Sequence, residues 1–314
     1  MRDAVVFFSD GPRFPAAAFA ATRAAALNDR ADVDVIVFTN DRKIVDSAKR
    51  ARWPFKVAPL VLRPGVELPP HFYRLFIPGL LGDSYRRLLY LDDDIYLEDR
   101  RPFALFDIDM AGHAIAAVRD IVIAFVPDRD ELARTLRTAG TKYFNDGVML
   151  IDCAAFNHFQ IPRSLPRLIS RITSGPSYLE QTVLNMVLDG NWLELSPAFN
   201  LFAYASGSFV GRAFPPAIVH FAGAEKPWRV ATEHTKVAAE MAAFFGSSPW
   251  RNFFSLSALQ PLRQPPHKRV VLERIGEPLR SYLRRTTFAD VLAGITPAVV
   301  LEDSDSAHAE RPVS

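Results

Sequence analysis

The chain has 314 residues, 49% of them hydrophobic and 23% charged, so it can bury a large core and is neither disordered, collagen-like nor a simple coiled coil. Its 37 Lys and Arg against 35 Asp and Glu leave a net charge of +2, without the whole-molecule basic footprint that nucleic-acid binding uses. The single cysteine, Cys153, cannot form an internal disulfide or a thiolate metal cluster, which suits a reducing, cytoplasmic setting.

Ala4 to Phe8 is a β-branched and aromatic run ending at Ser9, Asp10 and Gly11, and Ala16 to Leu27 is rich in helix formers, which reads as strand, polar loop, helix. Asp10 and Gly11 come too early for a signal peptide, and charges such as Arg119 and Asp120 interrupt each apolar run before spanning length, so neither secretion by the usual route nor a membrane span is expected. The order returns with Val33 to Phe38, a Thr39/Asn40 capping pair and a helix from Asp41 to Arg52. Phe55 to Leu60, a Pro-rich connection and Phe72 to Leu81 come next. Further buried-type strands are Arg87 to Leu91, His113 to Val118, Gly147 to Ile151 and Ala217 to Phe221. Repeated strand and helix alternation predicts an α/β fold with a mostly parallel, Rossmann-like sheet covered on both faces. Ligands of such sheets bind beyond the carboxyl ends of the strands, where Ser9, Asp10, Asp92 to Asp94 and Asp120 fall.

The most informative stretch is LYLDDDIYL, Leu89 to Leu97, an apolar strand running into three consecutive aspartates. In an extended backbone Asp92 and Asp94 share a face and Asp93 points away. Two carboxylates on one face repel unless a cation lies between them, and oxygen ligands suit Mg²⁺ or Mn²⁺, which keep positions open for phosphates. A solvated turn or helix cap would use the same residues. In AIVHFAGAEKPW, Ala217 to Trp228, His220 closes a second apolar strand and could add an imidazole, Gly223 permits close backbone approach, and Lys226 offers a charge for a phosphate. In YFNDGVMLID, Asn145, Asp146 and Gly147 read as a hairpin-type turn feeding a buried strand. In SYLEQTVLNMVL, Ser177 and Glu180 have capping-box spacing, which leaves Gln181 the freer residue.

Together, FYRL (72–75), YLDDD (90–94), FNDGVMLID (144–152), EQTVLN (180–185) and HFAGAEKPW (220–228) resemble glycosyltransferase family 8, which includes glycogenin and bacterial lipopolysaccharide galactosyl- and glucosyltransferases. The similarity runs from about Ala4 to Trp228. It implies a GT-A fold, a UDP-sugar donor, Mn²⁺ dependence with Mg²⁺ as substitute, and retention of anomeric configuration. By the same resemblance Asp92, Asp94 and His220 would hold the metal, with Asp93 near the nucleotide and Asp10 near uracil or ribose. Arg74 and Asp120 would lie near the donor sugar, Gly223 and Lys226 near the phosphates, and Asn145, Asp146, Glu180 and Gln181 around the sugar pocket, with Gln181, Glu180 and Lys226 as the catalytic set. Asp146 stands where the family commonly has a small residue and Glu180 where it has Asp, and the loop Ser9 to Phe14 lacks the usual uracil-stacking aromatic, a role Phe14 could fill.

The expected activity is hexose transfer, glucose or galactose first, from a UDP-sugar to a hydroxyl of a saccharide or glycolipid acceptor, as in surface-glycan synthesis. Two alternatives stay open: a haloacid-dehalogenase-like phosphatase, which also uses strand-then-Asp-x-Asp, and a sugar-nucleotide-binding protein without turnover. Composition shifts near residue 250, dividing a catalytic domain, 1–250, from a Pro-containing extension, 251–314. Between Arg263 and Arg285 seven Lys/Arg face two Glu, with Leu272, Ile275, Leu279 and Leu283 at near-helical spacing. That segment reads either as a peripheral contact with the inner face of an anionic membrane or as helices packed on the main domain. No motif sets the oligomeric state.

Overall fold

The computed structural model describes residues 1–62, 68–120, 142–170, 172, 179–223 and 226–259. Ser177 and the basic segment 263–285 lie outside the described residues. Ten strands are present among them: β1 (Arg2–Phe8), β2 (Val33–Thr39), β3 (Lys56–Pro59), β4 (Tyr85–Leu91), β5 (Ile95–Leu97), β6 (Ile115–Arg119), β7 (Phe144–Asp152), β8 (Leu193–Glu194), β9 (Leu201–Phe202) and β10 (Ile218–His220). The helices are α1 (Phe14–Leu27), α2 (Arg42–Ala48), α3 (Ile77–Leu81), α4 (Cys153–His158), α5 (Ile161–Ile169), α6 (Leu179–Leu188), α7 (Phe209–Ala213) and α8 (Thr235–Gly246).

Seven strands form the main sheet in the order β3-β2-β1-β4-β7-β6-β8. Its pairings are parallel except those of β7, which runs against both neighbours, so the expected mostly parallel sheet is found. Alternate residues of the central strands feed two cores. Val5, Phe7, Leu89 and Leu91 face α1 and its neighbours, while Ala4, Val6, Leu88 and Tyr90 face the other side. This two-sided burial is why the strands read as continuous apolar runs.

A second, three-stranded sheet, β5-β10-β9, adds to the expected single sheet. β10 runs antiparallel to β5, with His220 opposite Ile95, and Phe221 N–H donates to Asp94 C=O at 3.0 Å. That register carries the end of β10 to the aspartate run joining β4 to β5. On the other side of the run, Asp92 N–H donates to Gly147 C=O at 2.9 Å and extends the β4–β7 ladder.

Two local expectations change. The helix after β2 is capped by Asp41, whose carboxylate accepts from Lys43 N–H at 2.8 Å, while Thr39 Oγ1 accepts from Asp41 N–H. Asn145, Asp146 and Gly147 form no turn: they lie buried inside β7, where Ala117 pairs with Met149 and the next β6 residue, Val118, with Asn145, so Asp146 and Gly147 fall within a register shift against β6. Past residue 250 the chain still packs on the main body. Phe253 stacks on Trp228, Ser255 N–H donates to Trp228 C=O, and Trp250 meets Phe14 and Trp53.

Candidate active site

The aspartate run leaves β4 at Leu91 and turns at Asp93 and Asp94 before β5, so the strict alternation of an extended strand is broken. Asp92 and Asp94 nevertheless converge with His220: one ligand atom from each lies within 4.8 Å of the others. Asp94 and His220 are buried, and Asp92 keeps partial access to solvent.

Each aspartate has its own cation. Arg74, from the 3₁₀ turn Pro70–Phe76, places Nη2 3.0 Å from Asp92 Oδ1, which also accepts from Tyr90 Oη at 2.9 Å. Arg13, preceding α1, pairs with Asp93 and lies 3.7 Å from Asp94, and Ser9 Oγ donates to Asp93 at 3.0 Å. Lys226 pairs with Asp94 and donates to Phe221 C=O at 2.8 Å. Burial alone would push the Asp94 carboxyl up, but His220, Lys226 and Arg13 outweigh it and hold it well below the usual range. Asp93, buried with one partly exposed arginine and two neighbouring aspartates, is pushed up to about 7.

These side chains fit a divalent cation. Asp94 Oδ1 is buried without a well-formed hydrogen bond and faces His220 Nε2 at 3.3 Å. A lone pair on Nε2 pointing at a carboxylate oxygen is repulsive unless a proton or a metal ion lies between them. Burial disfavours the imidazolium, yet Asp94 overcomes it and raises the His220 pKa. Two carboxylates and one imidazole form a hard-to-borderline set of the kind that Mn²⁺ accepts.

Behind the imidazole runs a chain of amides. His220 Nδ1 meets Asn200 Oδ1 at 2.9 Å, and Asn200 Nδ2 donates to Asn145 Oδ1 at 2.8 Å. Asn145 Nδ2 donates to Gln181 Oε1 at 3.1 Å and Asp120 Oδ2 at 3.3 Å, and Gln181 Nε2 donates to the same Asp120 oxygen at 3.2 Å. Gln181 Oε1 also accepts from Asp146 N–H at 3.2 Å. Gln181 is 1% exposed and its carbonyl oxygen already takes two donors, so the freedom expected of it is absent. Beside this chain, Arg74 Nη1 lies 3.2 Å from Asp146 Oδ2. Burial pushes Asp146 up to about 8; Arg74 opposes this, while Glu180 and Asp92 add to it. Glu180 reaches outward to His71 Nε2 at 3.5 Å.

Asp10 caps the turn before α1, accepting from Arg13 N–H at 3.2 Å, and lines an open cleft of about 560 Å³ with Asn40, Asp41 and Pro70 beyond the ends of β1 and β2. Gly223 adopts a φ of +96° and has open space where a Cβ would lie, so chain direction rather than crowding calls for glycine there. Phe14 cannot stack on a base: it is 1% exposed and meets Trp250 edge-on in the core. Arg13, Tyr90 and Asn200 were not singled out from sequence. Arg13 lies 80 residues from Asp93 and Asn200 20 residues from His220, too distant along the chain for any local pattern.

The sheet with its acidic crossover and second small sheet is that of the GT-A glycosyltransferases. A galactosyltransferase, LgtC, solved with donor and acceptor sugar analogues, superposes over 80% of this chain and 100% of its own with a TM-score of 0.64 at 19% identity. The model of glycosyl transferase family 8 matches residues 62–232, just over half the chain, and the chain belongs to that family. General stress protein A of Bacillus subtilis is 33% identical over 52% of this chain and 60% of its own length. The lipopolysaccharide 1,2-glucosyltransferase of Escherichia coli is 24% identical over 58% of this chain and 55% of its own. The chain thus spans little more than half of these relatives. Family membership sets the phosphatase alternative aside. Among the described residues no helix is long and apolar enough to cross a membrane.

Proposed function

We propose that the protein is a retaining, metal-dependent hexosyltransferase that moves glucose or galactose from a UDP-sugar to a hydroxyl of a saccharide or glycolipid acceptor, at the cytoplasmic face of a membrane where surface glycans are built. The convergence of Asp92, Asp94 and His220 carries this reading. These three would hold Mn²⁺, or Mg²⁺ in its place, which supplies Lewis-acid neutralisation of the departing diphosphate.

The chain's own residues do the rest. Lys226 and Arg13, already at the carboxylate cluster, bring positive charge to the side on which the diphosphate must lie, Lys226 with Gly223 at the phosphates. Asp10 and the cleft behind it receive uridine, with Asp93 beside the nucleotide, and Asp120, Arg74, Asn145, Asp146, Glu180 and Gln181 surround the sugar. Glu180 and Asp146 bear on the choice of donor, because each puts a carboxyl where a sugar hydroxyl must be met. Gln181 is neutral and its oxygen is committed, so it is no nucleophile. Same-face attack accounts for retention. The bond from the anomeric carbon to the diphosphate oxygen breaks with its electron pair leaving on UDP. The acceptor oxygen bonds that carbon from the same face, and its proton passes to the leaving phosphate. Gln181, Asp120 and Asn145 hold the sugar while this happens.

The test is UDP release by the full-length chain from a panel of UDP-sugars, with and without Mn²⁺. Release should occur with UDP-glucose or UDP-galactose, stop on chelation, and fall at least about 100-fold in Asp94→Asn. Metal-independent release, or an Asp94→Asn variant that turns over like the parent, overturns the reading. Binding of UDP-sugars with no release favours a protein that has lost turnover.

A further inference from the structure

The amide chain behind His220 has a direction that the geometry settles. Side-chain amides can be placed either way round in coordinates, and an imidazole in either tautomer, but a backbone N–H only donates. Gly147 N–H points at the Asn145 side chain at 3.1 Å, so the atom it meets is Oδ1. Asp146 N–H likewise fixes Gln181 Oε1, which turns Asn145 Nδ2 toward it. With Asn145 oriented from both ends, its Oδ1 requires a donor from Asn200, which is Nδ2 at 2.8 Å. Asn200 must then present Oδ1 to His220 Nδ1 at 2.9 Å, and that nitrogen carries the proton. Asn200 is 5% exposed and Asn145 9% exposed, so the order is sheltered from competing water. The remaining ring nitrogen, Nε2, faces Asp94.

We propose that Asn200 is a positioning residue: it holds neutral His220 in the Nδ1–H tautomer and so keeps the Nε2 lone pair aimed between Asp92 and Asp94, ready to ligate a divalent cation. The proposal rests on the metal site put forward above, while its first readout needs no metal. A ligating histidine whose second nitrogen donates to a fixed acceptor is both oriented and made more basic, and loss of such an acceptor costs about 10- to 100-fold in metal affinity. Asn200 acts on the metal site through the ring, while its Nδ2 also holds Asn145.

The test uses full-length, metal-free protein labelled with ¹⁵N-histidine, His220 being assigned by the resonance lost in His220→Gln. At a pH where the ring is neutral, long-range ¹H–¹⁵N spectra should show the Nδ1–H form in the parent and in Asn200→Gln, which retains both the acceptor for His220 and the donor for Asn145. Asn200→Leu, of similar volume without an acceptor, should show a mixed or Nε2–H ring. Mn²⁺ titration of the same samples should give affinity within a few-fold of the parent for Asn200→Gln and about 10- to 100-fold weaker for Asn200→Leu. An Nε2–H ring in the parent overturns the proposal, as does an Asn200→Leu variant that binds Mn²⁺ like the parent. Should Asn200→Leu not fold, the tautomer of the parent and the behaviour of Asn200→Gln still decide. A parent with the Nδ1–H ring but no affinity for Mn²⁺ would sink the metal site and leave the tautomer assignment standing.

Discussion

Gly147 shows how closely the imidazole is held. A Cβ built there would lie 2.4 Å from His220 Cε1 and 3.0 Å from Nδ1, too near for either to stay in place. The ring is buried and tied to Asn200 and Asp94, so it has little room to yield. Gly147→Ala should therefore weaken Mn²⁺ binding by at least about 10-fold, and overpacking should destabilise the protein by about 1–3 kcal/mol. Titration with Mn²⁺ and urea unfolding check the two parts separately. At this scale the acids were legible because a strand running into Asp-x-Asp-like spacing is a local pattern, and His220 stood out as a polar residue closing an apolar strand. Asn200 was not, because its partners lie 20 and 55 residues away and nothing near PAFNLF marks it. Arg13 was not legible either, because its reach to Asp93, 80 residues away, follows from tertiary packing.

At the scale of elements, Asn185 of α6 ties down the start of β7, one turn along the helix from Gln181. Asn185 Oδ1 accepts from Phe144 N–H at 2.9 Å, and its Nδ2 donates to Phe144 C=O at 3.0 Å and to Gln181 C=O at 2.9 Å. An amide thus does for the start of β7 what a neighbouring strand would do, and fixes the helix turn that carries Gln181. Asn185→Ala strands two buried backbone groups, each costing about 1–3 kcal/mol, so unfolding stability should drop by at least about 2 kcal/mol. Urea midpoints measure this, and a loss below 1 kcal/mol would mean that water or a shifted strand satisfies Phe144. The same contact explains the misread turn. Asn, Asp and Gly favour turns in isolation, but Asn145 pairs with Val118 of β6, Gly147 C=O accepts from Asp92 N–H, and Asn185 closes the end, which together hold them in the strand. The central strands needed no such knowledge, being apolar on both faces. The second sheet was half legible: its strands show as apolar runs, but their pairing depends on the crossover after Asp94.

Across the whole molecule the net charge is close to zero, yet buried charge is concentrated in one place, and stability should follow pH through that place. Asp146 is pushed up to about 8 from a model-peptide value of 3.8. Between those values the native state keeps a proton that the unfolded chain has lost. Stability from this group is therefore complete below about pH 4 and is lost as pH rises toward 8. Asp93, pushed up to about 7, and His220, raised by Asp94, act in the same direction. Asp94, held low, acts oppositely and only in more acidic solution. Each fully shifted group contributes at most about 1.4 kcal/mol per pH unit. Metal-free protein should accordingly lose stability from about pH 5 to pH 8, where proteins are commonly near their optimum. Asp146→Asn, which keeps the shape and discards the proton, should flatten that slope by up to about 1.4 kcal/mol per pH unit, matching the parent near pH 4 and exceeding it increasingly toward pH 8. Urea unfolding of both proteins across this range provides the measurement. Parallel slopes would mean that Arg74, which lies between Asp146 and Asp92, keeps Asp146 ionised in the folded state, and that the excess proton resides elsewhere in the cluster.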